Sequence, residues 1–213
     1  MSSNSNPNPN PNFNSDSGLR QSSAKASRSV RRTRTAIYRT ALSAMLLALA
    51  IVLPLMTGQI PDIGNYFCPM HLPVLLCGFF CGPLWALCIG FIAPFLRFLI
   101  FGMPTIIPKG LAMAFELAAY GALSGLFYRI LPKKKIFIFV ALLGAMIGGR
   151  LVWGTVSAVL YGFGLGKQSF GFQFFITEAV INSLPGIAIQ IVLVPALVML
   201  LGKKFIPDDP LSH

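Results

Sequence analysis

The apolar runs between residues 36 and 201 set the strongest limit on what this chain can fold into. The runs at 36–56, 83–101, 109–129, 136–162 and 174–201 each reach or exceed the roughly 17–25 residues a helix needs to cross a bilayer core. Short segments rich in Gly, Pro and polar residues separate them. A water-soluble domain is excluded by the same count: 55% of the residues are hydrophobic and only 11% charged, where soluble domains carry about 25% charge. A bilayer also demands that backbone groups be satisfied within each segment, which selects helices. The chain reads as an all-α integral membrane protein with one membrane domain over 36–202, between tails at 1–35 and 203–213.

The number of crossings turns on residues 71–101. One straight helix over that stretch would be about 46 Å long at 1.5 Å per residue, too long for a core of about 30 Å. Charge placement decides the matter, because Lys and Arg collect on the cytoplasmic side. Seven of the 17 basic residues precede residue 40, and Arg129, Lys133, Lys134 and Lys135 form a second cluster. An even number of crossings must separate the two clusters, so the stretch counts twice. The turn falls at Cys81-Gly82-Pro83, where Gly ends one helix and Pro starts the next. The second span, over about 67–81, is then short, tilted or broken near Pro73. Two more crossings lead to Lys203 and Lys204. The resulting topology has six helices with both termini cytoplasmic.

Residues 1–35 open on Asn-Pro repeats and continue with Ser and Arg, a composition that buries too little apolar surface to order itself. The net charge of +11 is concentrated there, beside the first span. It fits anionic lipid head groups, whereas nucleic acid is not expected because no recognition motif accompanies the charge. No cleavable signal is expected, since no cleavage site follows the first apolar run. The cysteines Cys68, Cys77, Cys81 and Cys88 form no C-x-x-C pair, so neither a disulfide framework nor a metal site is expected. His71 lies at the outer mouth of the second span and reads as a locally satisfied interfacial residue; the other histidine, His213, is terminal.

Ionisable groups inside a membrane usually face a cavity or a partner and mark function. Here they are Arg97, Lys109, Glu116, Arg150 and Glu178. Helical spacing puts Lys109, Met113, Glu116 and Tyr120 on one face and Arg150, Gly154, Ser157 and Tyr161 on another, with Trp153 beside the latter. Glu178 and Asn182 are four residues apart. These groups can line one cavity open to the outside, suited to a small organic molecule with polar substituents. They can equally form interhelical ion pairs that hold the bundle together. The segment near Gly102-Met103-Pro104 suits a lid over such a cavity.

No phosphate-binding loop, H-E-x-x-H pair or G-x-S-x-G is present, so ATP hydrolysis and the motif-borne intramembrane hydrolases have no support, and no enzyme activity or cofactor is expected. Small residues recur at four-residue intervals at Thr40, Ala44 and Ala48, at Gly121 and Gly125, and at Gly144 and Gly148, and allow close helix approach.

The run Ala41-Leu-Ser-Ala44-Met-Leu-Leu-Ala48-Leu-Ala-Ile-Val-Leu-Pro54 resembles the first helix of the substrate-binding S components of energy-coupling factor (ECF) vitamin transporters, including their A-x-x-x-A motif. His71-Leu-Pro-Val-Leu-Leu-Cys-Gly-Phe-Phe-Cys-Gly-Pro83 is similar to their second helix and its turn. Phe101-Gly-Met-Pro104 through Met113-Ala-Phe-Glu116-Leu-Ala-Ala-Tyr120-Gly resembles the loop and fourth helix of one subgroup. The resemblance covers about 36–201. It implies a monomeric six-helix subunit of a bacterial cell membrane that captures a vitamin from outside and docks on a transmembrane coupling protein driven by two cytoplasmic ATPases. Ala44 and Ala48 would then face the coupling protein. Arg97, Lys109, Glu116, Tyr120, Arg150, Trp153, Glu178 and Asn182 would contact the vitamin. Pantothenate leads, because an intramembrane arginine pairs with a carboxylate; riboflavin, folate and thiamine-precursor pyrimidines stay open. The alternative is an autonomous ion-coupled transporter, disfavoured by the lack of an internal repeat.

Overall fold

The computed structural model describes residues 11–57, 69–102, 105–132, 135–165, 171–177 and 183–205. Met1–Tyr38 and Arg39–His213 are two separate compact units. In the first, the backbone is helical from Pro11, within α1 (Pro11–Thr57). Residues 25–34 are all exposed. Composition assigned this segment to an unstructured tail; its helical geometry is held by local bonds, with the Thr33 hydroxyl donating to the Ser29 carbonyl at 3.1 Å and that of Thr35 to Arg31 at 3.0 Å.

The second unit contains the rest of α1, then α2 (His71–Cys81), α3 (Pro83–Phe101), a π-type turn (Ile106–Gly110), α4 (Leu111–Ile130), α5 (Lys135–Gly162), the short α6 (Phe172–Ile176) and α7 (Leu184–Phe205). No strand occurs among the described residues. Among the described residues, five helices are long and apolar enough to cross a membrane: α1 over Lys25–Leu55, α3, α4 with its preceding turn, α5, and α7 over Leu184–Leu201. The expected second span is α2, whose 11 residues extend only about 16 Å. It starts at His71 and not at 67, and it is short for a reason visible at its far end. Gly82 takes φ +98°, a conformation open to glycine alone among ordinary residues, its N–H donates to the Cys77 carbonyl at 3.2 Å, and Pro83 begins α3 at once.

All 11 residues of α2 are buried, which explains why its sequence is apolar on every side. It packs on α3, α4 and α7. On α1, Leu42, Leu46 and Ala50 point into the core, and the Ser43 hydroxyl lies 3.7 Å from the Cys77 thiol of α2. The centre of the unit is α4, in contact with α2, α3 and α5. In its 18-residue apolar stretch 56% of the residues are buried, against 22–33% in the corresponding stretches of the other four long helices.

Small residues allow this crowding. A Cβ on Gly121 would lie 2.6 Å from the Ala86 carbonyl oxygen, and one on Gly125 would lie 2.7 Å from Pro83 N and 2.8 Å from Gly78 O. Backbone therefore meets backbone where α2, α3 and α4 converge. These contacts place α3 antiparallel to α4. The same order holds for α5, where Gly144 faces Phe127 and Gly149 faces Tyr120. Outward, α5 shows Ile136, Val140, Leu143, Ile147 and Leu151, an exposed apolar stripe that only lipid or a protein partner would cover favourably.

Candidate functional site

Three polar residues from three helices meet in the interior, two of them buried and the third, Arg150, partly so. Glu116 stands in the second turn of α4 with 2% of its surface exposed, and His71, at the first turn of α2, with 3%. Arg150, on α5, reaches Glu116 Oε1 with Nη1 at 2.9 Å. His71 Nε2 lies 3.6 Å from the same oxygen, beyond hydrogen-bond reach. Removing a carboxylate and a guanidinium from water costs several kcal/mol per ion, and their mutual attraction offsets that only when they pair closely. The pair is close, and it explains how the sequence tolerates both charges in an apolar bundle.

Tyr120 completes the cluster one turn along α4 from Glu116. Its ring meets the His71 ring edge-on, with centroids 5.1 Å apart and planes at 74°. On its other side it lies against Gly149, where a Cβ would come within 2.9 Å of the ring. Glycine at 149 therefore leaves room for the tyrosine, and the tyrosine fixes the imidazole. Three residues beyond Arg150, Trp153 stacks on Phe175 of α6 with centroids 6.1 Å apart, and Gly154 accommodates that Phe175 ring.

Arg97, on α3, is half-buried and donates from Nη1 to the Met70 sulfur at 3.5 Å, next in the chain to His71. Lys109 is exposed on the turn before α4, where Ile107, two residues ahead of it, is extended at φ −117°, ψ 128°, whereas Glu116 and Tyr120 further along are buried. Glu178 and Asn182 lie outside the described residues, as do Met103 and Pro104 of the expected lid. Ala44 and Ala48 are exposed on α1, beside the exposed Met45, Leu49 and Val52.

Of the two readings of the intramembrane charges, ion pairing between helices is what Glu116 and Arg150 adopt. His71 is the member that sequence reasoning placed elsewhere. Its signal was the unbroken apolar run 72–81 behind it, which marks the helix it opens as buried on all sides. Among the described residues no group of three or more His, Cys, Asp or Glu is placed to hold a metal ion.

No curated protein and no solved structure matches the chain. The family model described as "ECF transporter, substrate-specific component" matches residues 39–198, which takes in α1 from Arg39, α2 to α6 and most of α7. With three quarters of its length and the whole Glu116 cluster inside that match, the chain belongs to the family of substrate-specific components of ECF transporters.

Proposed function

We propose that this protein captures a vitamin or vitamin precursor at the outer face of a bacterial cell membrane and delivers it through a transmembrane coupling protein powered by two ATPases. The observation that carries this reading is the pairing of buried Glu116 with the partly buried Arg150, Tyr120 beside it, in the interior of a chain from a substrate-binding transporter family. A membrane protein without an ATPase motif gains nothing from such charges unless they bind or hold something. In this reading the cargo contacts Glu116, Tyr120, Arg150 and Trp153, with Arg97, Lys109, Glu178 and Asn182 as further contacts, and pantothenate leads over riboflavin, folate and thiamine-precursor pyrimidines. Both termini are cytoplasmic, the basic residues before residue 40 hold anionic lipid head groups, and the subunit is a monomer outside the complex. The exposed Ala44 and Ala48 form the smooth surface that the coupling protein covers.

Native mass spectrometry of the purified protein, with extraction and identification of retained small molecules, tests the cargo. Reconstitution tests the energy source: uptake into liposomes should require the coupling protein and ATP. Uptake by this chain alone under an ion gradient would overturn the reading in favour of an autonomous transporter.

A further inference from the structure

Arg150 already has an anionic partner inside the protein. Glu116 Oε1 sits 2.9 Å from its Nη1, so the two formal charges cancel where they meet. A cargo carboxylate entering there would displace one carboxylate from the guanidinium only to lie against it. A neutral group meets no such opposition. The same spot offers polar atoms that accept or donate no hydrogen bond among the described residues. Both ring nitrogens of His71 are buried and have no hydrogen-bond partner among the described residues, and its Nε2 stands 3.6 Å from Glu116 Oε1.

A neutral imidazole carries one donor and one acceptor, and a carboxylate accepts only. Leaving such atoms unengaged in a buried site is costly, and the Tyr120 ring, edge-on at 5.1 Å, limits the imidazole's freedom to turn away. A group that donates to Glu116 and exchanges a second hydrogen bond with His71 satisfies both residues together. We propose that His71 and Glu116 form a binding subsite for a neutral cargo group bearing both a donor and an acceptor, of the amide, cyclic imide or aminopyrimidine kind, and that His71 is a specificity-determining residue. This rests on the transport reading above and adds to it the polarity of the group recognised and a residue from α2.

The test uses the full chain in detergent, with binding followed by quenching of its two tryptophans, Trp85 and Trp153. The probes are pantothenate, its neutral alcohol analogue panthenol, riboflavin, folate and 4-amino-5-hydroxymethyl-2-methylpyrimidine. For whichever probe binds wild type most tightly, His71→Leu should weaken binding at least tenfold. His71→Asn, which restores a donor and an acceptor, should recover most of that loss. Glu116→Gln should weaken binding as well. Binding unchanged in His71→Leu would overturn the subsite while leaving the transport reading intact. So would binding strengthened by Glu116→Gln, since that result means a cargo carboxylate competes with Glu116 for Arg150. If His71→Asn loses as much as His71→Leu with both proteins folded by thermal unfolding, the donor–acceptor assignment fails. No binding of any probe to wild type would sink the transport reading itself, and the subsite with it.

Discussion

Helices α1 and α4 carry the same small-residue spacing, Ala44/Ala48 in one and Gly121/Gly125 in the other, and the fold uses them in opposite ways. On α4 both glycines are buried under the backbones of α2 and α3. On α1 both alanines are exposed, and the core side of that helix is instead formed by Leu42, Leu46 and Ala50. A four-residue repeat of small side chains thus makes a helix face flat without saying what lies on it. On α4 the flat face is internal packing, and it brings α2 close enough for His71 to stand beside Glu116. On α1 it stays exposed, where we propose the coupling protein docks.

The largest effect tests the cluster that the α4 packing assembles. Arg150→Ala leaves Glu116 charged and buried without its cation, which should cost about 3–5 kcal/mol of stability; thermal unfolding in detergent micelles would register it as a large drop in midpoint. A midpoint within a degree or two of wild type would mean that the 2.9 Å contact contributes little. Next comes the internal glycine face. Gly125→Leu drives a side chain into Pro83 and the Gly78 carbonyl, atoms that are backbone and cannot turn aside. Overpacking of this kind costs about 1–3 kcal/mol or more, and near-normal yield and midpoint would show that α2, α3 and α4 are less tightly joined than described.

Ala44→Trp and Ala48→Trp should leave the midpoint almost unmoved, within the roughly 0.5 kcal/mol expected of exposed positions, yet abolish uptake by the reconstituted transporter. Uptake that survives both would break the contrast between the two helices. The smallest effect belongs to the outer stripe of α5: Ile147→Ala, at a position 63% exposed, should change stability by less than about 0.5 kcal/mol and leave binding unaffected. A larger loss would mean that this face too is covered.

Much of the architecture is legible in the sequence because it rests on local chemistry. Gly82-Pro83 ends one helix and starts another, since only glycine readily takes φ +98° and proline suits a first helical turn. The shortness of α2 follows from the length between that turn and the polar segment before it. Glu116 and Arg150 stand out from single residues alone, as charges in apolar runs. The exposure of Lys109 was less legible, because helical spacing does not say how far a side chain at the start of a helix is covered: Lys109 is exposed while Glu116 and Tyr120 are buried.

The sequence by itself determined that the chain belongs in a bilayer, where most of its helices begin and end, and which charged side chains the apolar interior must accommodate. Each of these follows from the solvation of individual residues and from backbone preferences a few residues long. Only the tertiary structure decided that Arg150 pairs with Glu116, that His71 joins them from α2 with Tyr120 at its edge, and that Gly121 and Gly125 are covered while Ala44 and Ala48 are not. The rotation of a helix about its own axis depends on the shapes of all its neighbours at once, and no spacing within one helix records it.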